Sequence, residues 1–89
     1  MYYVYILTTK NRKLYYIGLT SGLERRLWQH KNKVYKGFTS KYNIYHLIYY
    51  EEYRYVFDGI SRERQLKKWS RKKKLELVKK VNPELKFLM

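Results

Sequence analysis

The chain has 89 residues, which is enough for one domain with a modest core and too short for a second. It contains no cysteine, so disulfides, cysteine-ligated zinc and thiol catalysis are excluded. Lysine and arginine total 21 against 7 acidic residues, a formal net charge of +14. A charge of this sign and size attracts polyanions, and nucleic acid is the partner that we expect.

No apolar run approaches the roughly 20 residues that are needed to cross a bilayer. The opening residues, MYYVYILTTK, lack the basic leader and the small-residue cleavage site of a signal peptide. We therefore expect a cytoplasmic protein that makes no membrane contact.

The first two elements are predicted to form a β-hairpin. Tyr2–Leu7 and Leu14–Thr20 are rich in aromatic and β-branched side chains and are separated by a polar turn. A turn centred between residues 10 and 11 would pair Tyr5 with Tyr16. Since opposite residues of antiparallel strands share a face, Tyr5, Tyr16 and Gly18 are expected on one face of the sheet.

A helix is predicted to follow from Leu23 to about Lys33. Leu23 and Leu27 form its apolar stripe at helical spacing. Arg26 and His30 are four residues apart and lie along one edge of that stripe. We therefore expect both side chains to face the sheet or its rim.

The second half of the chain is predicted to add one strand and two helices. Val34–Asn43 is predicted to be a loop, Ile44–Tyr53 a strand and Val56–Trp69 a helix. Ser70 can cap a last helix, which ends at Pro83. The order ββαβαα predicts one α+β domain over residues 1–89, with a small three-stranded antiparallel sheet and about three helices.

The apolar side chains of the last two helices are expected to face inward. Gly59 lies within the first of these helices and costs it up to about 1 kcal/mol relative to alanine, so we expect close packing there. The inward-facing residues are expected to be Val56, Phe57, Ile60, Leu66, Leu75, Leu77, Val78 and Val81.

Glu63 is a carboxylate within the strongly basic segment SRERQLKKWSRKKK. Helical spacing places it in the apolar arc between Ile60 and Leu66. A carboxylate that faces inward costs free energy unless it is paired or binds a metal ion. An ion pair with Lys67, four residues later, is the structural alternative to a metal site, and the spacing leaves both open.

Taken in order, these residues resemble the GIY-YIG nuclease family, and most closely its small stand-alone members. Val4–Ile6 stands in place of the first motif, with valine where the motif has glycine, and Tyr16–Gly18 matches the second. The family's arginine, histidine, metal-binding glutamate and late asparagine match, in that order, Arg26, His30, Glu63 and Asn82.

The resemblance implies a GIY-YIG-like fold and metal-dependent hydrolysis of phosphodiesters by a DNA endonuclease. Glu63 would hold a single Mg²⁺ or Mn²⁺, which commonly keeps several water ligands. Arg26 would neutralise charge on the scissile phosphate, and His30 would position that phosphate or accept a proton. Tyr5 or Tyr16 would activate the attacking water, with Tyr5 favoured as the base and Tyr16 as the residue that orients the water.

Substrate binding would use the remaining positive charge, with weak sequence specificity or recognition of nucleic-acid shape. DNA is favoured over RNA. Two alternatives stay open: a non-catalytic basic nucleic-acid-binding module on the same fold, and a nuclease subunit that needs a partner protein. The expected nucleic-acid contacts are Gly18, Lys36, Lys41, Arg62, Lys67, Lys68, Arg71, Lys72, Lys73, Lys74 and Asn82.

Overall fold

The computed structural model describes residues 1–89 and contains a three-stranded antiparallel sheet with helices on both faces. This confirms the predicted α+β class. None of the helices is long and apolar enough to cross a membrane. The elements are β1 (Tyr2–Thr8), β2 (Tyr15–Thr20), α1 (Leu23–Lys31), α2 (Phe38–Lys41), β3 (His46–Tyr53), α3 (Val56–Lys68) and α4 (Arg71–Lys79).

The sheet has the strand order β2-β1-β3, so β1 is the central strand. One apolar core lies on each face of the sheet. The side chains of β1 alternate between the faces, as the twofold period of a strand requires. Val4 and Ile6 enter the core that contains Leu66 of α3 and Val78 of α4. The core on the side of α1 consists of Tyr5, Leu7, Leu23, Leu27, Ile44 and Leu47.

The register of the hairpin differs from the predicted one by two residues. Tyr5 pairs with Gly18, and Leu7 pairs with Tyr16. The turn is centred one residue later than predicted because Arg12 adopts a left-handed backbone, with φ of 57°. A shift of two residues leaves every side chain on its own face, so Tyr5 and Tyr16 share a face as predicted.

Gly18 makes room for the ring of Tyr5. A β-carbon at Gly18 would overlap the Tyr5 hydroxyl oxygen and the neighbouring ring carbons. Tyr5 is completely buried, so its ring has no open space into which to move. Gly18 is itself buried and the tyrosine occupies the space beside it, so its contact with nucleic acid stays a prediction that this packing does not favour.

Two apolar residues that were expected inside are exposed. Phe57 is 77% exposed because the buried side of α3 is set by Gly59, two residues or about 200° further round the helix. Gly59 packs closely against the sheet as predicted, with Cδ1 of Leu19 only 2.9 Å from the position of an added β-carbon. Val81 is 72% exposed because α4 ends at Lys79, so helical spacing no longer applies to it.

Asn82 links the C-terminal segment to the sheet through hydrogen bonds. Its side-chain amide donates to the backbone oxygens of Ile48 and Lys86, both at 2.9 Å, and its oxygen accepts from the backbone N–H of Lys86 at 3.0 Å. The side chain is buried. Both of its amide hydrogens and its oxygen are engaged within the protein, so its contact with nucleic acid stays a prediction that these bonds do not favour.

Replacing Gly18 with alanine should destabilise the protein by about 1–3 kcal/mol, since the methyl group would overpack a ring that cannot move. Gly59→Ala is the matched control: the nearby atom is the end of a flexible leucine, and alanine favours the helix by up to about 1 kcal/mol. Urea unfolding measures both changes. Equal losses of stability in the two variants would contradict the account of Gly18.

Candidate active site

A tyrosine and a histidine form a buried hydrogen-bonded pair between β1 and α1. The hydroxyl oxygen of Tyr5 lies 3.0 Å from Nε2 of His30, and His30 is 5% exposed. Nδ1 of His30 lies 3.2 Å from the hydroxyl oxygen of Thr39 in α2. With both ring nitrogens partnered, the imidazole is fixed in orientation, and it ties β1, α1 and α2 together.

Burial sets the protonation states of this pair. It raises the pKa of Tyr5 well above its usual range, and the neighbouring Tyr16 raises it further, while the guanidinium of Arg26 lowers it by charge and by hydrogen bonding. Burial also lowers the pKa of His30, as does the positive charge of Arg26. At neutral pH, Tyr5 therefore keeps its proton and His30 is uncharged.

The tautomer of His30 sets the direction of both hydrogen bonds of its ring. Either the Tyr5 hydroxyl donates to Nε2 while Nδ1 donates to Thr39, or Nε2 donates to Tyr5 while the Thr39 hydroxyl donates to Nδ1. Because Tyr5 is completely buried and keeps its proton, this geometry does not favour it as the base, and that role stays a prediction.

Beside the buried pair lies an open cleft of about 270 Å³. The half-buried ring of Tyr16 faces it, 5.4 Å from the His30 ring and 6.3 Å from the Tyr5 ring. Arg26 also lines the cleft, with its guanidinium carbon 5.3 Å from the ring centre of Tyr35. The lining contains no carboxylate and comprises Tyr16, Arg26, His30, Tyr35, Lys36, Gly37, Phe38 and Thr39.

Glu63 reaches this group of residues from α3, which packs chiefly against β2. Its side chain is 21% exposed, and its negative charge contributes to the raised pKa of Tyr5. Its Oε2 lies 3.6 Å from Nζ of Lys67, so the predicted ion pair forms. Glu63 thus makes the ion pair, and the metal site that its spacing also left open stays a prediction.

The residues present fit a divalent ion that is held by few protein ligands. No group of three or more histidine, cysteine, aspartate or glutamate side chains lies together in this structure, and Glu63 is the carboxylate whose charge raises the pKa of Tyr5. Mg²⁺ is commonly bound through one or two carboxylates, with water and substrate phosphate completing its shell. No hydrogen-bond donor of the protein engages the carboxylate of Glu63 apart from the ion pair at 3.6 Å, which leaves it available as a ligand.

Sequence reasoning missed Thr39 and Tyr35, the partners of His30 and Arg26. Both lie in or beside the predicted loop, where α2 is only four residues long and shows no periodicity. Gly37 starts this helix with φ of 150° and ψ of −147°, a backbone conformation that essentially only glycine adopts. That glycine was the one available signal that the loop has a defined conformation.

Arg62 was expected to contact phosphate, and in this structure its guanidinium pairs with a carboxylate of the protein. Its Nε lies 2.8 Å from Oε1 of Glu51, and its Nη2 lies 2.9 Å from Oε2, a bidentate ion pair. Tyr49 and Tyr53 donate their hydroxyls to the same carboxylate. Since Arg62 holds a partly buried charge in place, it serves the fold rather than the substrate.

The other basic residues expected at the substrate lie at the surface. Lys67 pairs with Glu63, while Arg71 and Lys73 lie over the rings of Tyr15 and Trp69, at 5.2 and 4.2 Å. Lys36 lines the cleft. Lys41, Lys68 and Lys72 are exposed, and Lys74 is half-buried.

Residues 1–76 match the family model that is described as the GIY-YIG catalytic domain. The chain belongs to the GIY-YIG family. Nucleases that carry this domain generally use divalent metal ions. The resemblance seen in the sequence is therefore confirmed.

The relatives of this GIY-YIG chain include small UPF0213 proteins. One from Clostridium perfringens is 37% identical over 78 residues, covering 88% of this chain and 83% of that protein. One from Syntrophus aciditrophicus is 37% identical over 83 residues, covering 92% and 93%. The solution NMR structure of a UPF0213 protein from Bacillus halodurans superposes with a TM-score of 0.59 at 25% identity, covering 94% and 89%.

His30 should titrate below pH 6.5, the usual pKa of histidine, in an NMR pH titration of the imidazoles. Arg26→Gln should move its midpoint upward because a neighbouring positive charge is removed; the exposed Arg25→Gln is the control. Since the unfolded chain then binds more protons, the free energy of unfolding should fall as the pH drops below about 6.5. A His30 midpoint at or above 6.5 would contradict the assignment.

Proposed function

We propose that this chain is a metal-dependent DNA endonuclease that hydrolyses phosphodiesters, structure-directed or weakly sequence-specific, and active in the cytoplasm. The observation that carries the proposal is the arrangement around Tyr5. Its hydroxyl contacts neutral His30, and the charges of Arg26 and Glu63 both act on its pKa. The cleft beside it is lined by residues of β2, α1 and the segment that contains α2, and no carboxylate is among them.

Arg26 is the group best placed to bind the scissile phosphate. Its guanidinium lines the cleft and offers a fork of donors that matches two phosphate oxygens. The ring of Tyr35 lies beside it, with its centre 5.3 Å from the guanidinium carbon. In this role Arg26 stabilises the negative charge that develops on the phosphate.

Tyr16 is the phenol that can meet the attacking water, since it is half-buried and lines the cleft. Tyr5 and His30 act as positioning residues: each fixes the other by the bond between hydroxyl and Nε2, and together they hold the ring of Tyr16 and the guanidinium of Arg26. Tyr16 is thus assigned to orient the attacking water through its hydroxyl group.

Glu63 would hold a single Mg²⁺ or Mn²⁺ by exchanging its ion pair with Lys67 for the metal. When bound, the ion supplies Lewis-acid stabilisation of the phosphate and of the leaving oxygen. Released from Glu63, the ammonium group of Lys67 becomes available to a neighbouring phosphate. The exposed Lys36, Lys41, Lys68 and Lys72 add salt-sensitive contacts to the backbone.

The pair between Glu63 and Lys67 also favours the alternative, a basic nucleic-acid-binding module that does not cut. If that pair persisted in the complex, the carboxylate would be neutralised and no ligand for a metal would remain. Both functions require salt-sensitive binding of DNA. Only the endonuclease requires cleavage that depends on a divalent ion.

Purified protein should cleave plasmid or branched DNA with Mg²⁺ and should fail to cleave in EDTA. Arg26→Ala should reduce the cleavage rate by at least about 100-fold, the cost of removing a preorganised donor to developing charge. Glu63→Gln should abolish the metal-dependent rate. Tyr16→Phe should lose more activity than Tyr5→Phe, since only Tyr16 is assigned to the water.

Matched controls make this assay specific for the cleft. Arg25→Ala removes an exposed arginine beside Arg26, and Glu76→Gln removes an exposed carboxylate of α4; both should keep the wild-type rate. Full activity in Glu63→Gln would refute the metal assignment. Binding without cleavage of every substrate by the wild type would favour the non-cutting module.

A further inference from the structure

The segment Val34–Tyr42, which includes α2, carries large aromatic side chains on the protein surface. Tyr35, Phe38 and Tyr42 are 45%, 50% and 43% exposed. Burying such a ring stabilises a protein by about 1.5–3 kcal/mol, so a row of exposed rings is not explained by folding. Contiguous exposed apolar surface commonly marks a binding site.

The rings form a row that begins in the catalytic cleft. Tyr35 lies 6.2 Å from the His30 ring, with Arg26 over its face, and Phe38 also lines the cleft. Phe38 and Tyr42 lie one helical turn apart, with ring centres 5.1 Å from each other and planes at 59°. These two rings are tilted rather than stacked, so they do not cover each other's faces, and Nζ of Lys41 lies over one face of Tyr42 at 5.4 Å from the ring centre.

The far end of the row opens into a second, larger groove of about 870 Å³. This groove lies between the hairpin turn and the connection from α2 to β3, and Tyr42 is part of its wall. The rest of its lining carries no acidic residue and comprises Thr9, Lys10, Asn11, Lys13, Leu14, Asn43, Tyr45 and His46.

The positive charge around this groove favours a polyanion as its ligand. The positive charges of Arg12, Lys31 and Lys10 lower the pKa of His46, although burial is the larger cause. Glu24 is the only acidic residue among the first 50 of the chain. An apolar protein surface would leave these cations desolvated and unpaired, whereas a nucleic-acid strand supplies both planar bases and phosphates.

We propose that this aromatic row and basic groove bind single-stranded nucleic acid that runs from the catalytic cleft to the hairpin turn. Bases would stack on Phe38 and Tyr42, and Lys10 and Lys13 would contact the phosphates. Bases inside a duplex are already stacked and cannot reach these rings, so the site selects substrates with an unpaired strand beside the cut. This inference rests on the proposed function for its substrate being DNA, and it assigns the structural feature that is recognised.

The test is oligonucleotide binding measured by fluorescence anisotropy in EDTA, with a single strand and a duplex of equal length. Phe38→Leu and Tyr42→Leu keep an apolar side chain but remove the ring, and each should weaken single-strand binding at least about fivefold. Phe57→Leu is the control, since its ring is 77% exposed on α3. It should bind as the wild type does, and duplex binding should change less than twofold in all three variants.

The phosphate contacts have a separate readout in the salt dependence. Lys10→Ala and Lys13→Ala should each reduce the slope of log affinity against log salt for the single strand by about 0.7. The control is Lys79→Ala, an exposed lysine at the end of α4, whose slope should match the wild type.

Unchanged single-strand binding in both ring variants would overturn the proposal, and equal weakening of duplex binding would do the same. Because the assay contains no metal and needs no cleavage, its result is independent of the endonuclease proposal. A chain that never cuts DNA but loses single-strand binding in Phe38→Leu would refute the endonuclease and support this site. A chain that cuts DNA while the ring variants bind single strands normally would support the endonuclease and refute this site.

Discussion

The hydrogen bond between the Tyr5 hydroxyl and Nε2 of His30 is the interaction on which the site depends. It forms inside the protein only because Gly18, on the neighbouring strand, leaves space for the phenol ring. Burial then raises the pKa of Tyr5 and lowers that of His30, so both groups are neutral and need no counterion. The pair can therefore hold an arginine at the edge of a cleft without bringing a compensating carboxylate into it.

The distribution of charge in the chain is set by its small number of carboxylates. With 7 acidic residues against 21 basic ones, few arginines and lysines can be neutralised within the chain. Glu51 neutralises Arg62 in a bidentate pair, which stabilises the sheet against α3. Glu63 has only a looser pair with Lys67 at 3.6 Å, and this is the carboxylate that lies near the phenols. The remaining cations are left for a polyanionic partner.

Periodic features of the sequence predicted much of the fold and part of the site. The twofold period of a strand tolerates a two-residue shift, so the shared face of Tyr5 and Tyr16 was predicted although the register was not. Helical spacing likewise placed His30 on the inner side of α1. Features without a period were missed, such as the left-handed Arg12 that lengthens the turn and the bond from His30 to Thr39.

Roles that depend on burial were the hardest to predict. Tyr5 and Tyr16 are both strand tyrosines in the sequence, but Tyr5 is buried in the core on the side of α1 and Tyr16 lines the cleft. Phe57 is apolar and was expected inside, but the close approach of Gly59 turns it to the surface. Arg62 and Lys68 occupy one basic segment, and only the distant Glu51 on β3 distinguishes them.

The central claim is that Glu63 and the cleft residues form one metal-dependent site. Substoichiometric Mn²⁺ tests it directly, because the ion broadens the NMR resonances of nuclei close to it. We predict selective broadening of the ring signals of Tyr16 and His30 in the wild-type protein, and none of it in Glu63→Gln. Broadening that persists in Glu63→Gln, or that spares Tyr16 and His30 in the wild type, would contradict the account.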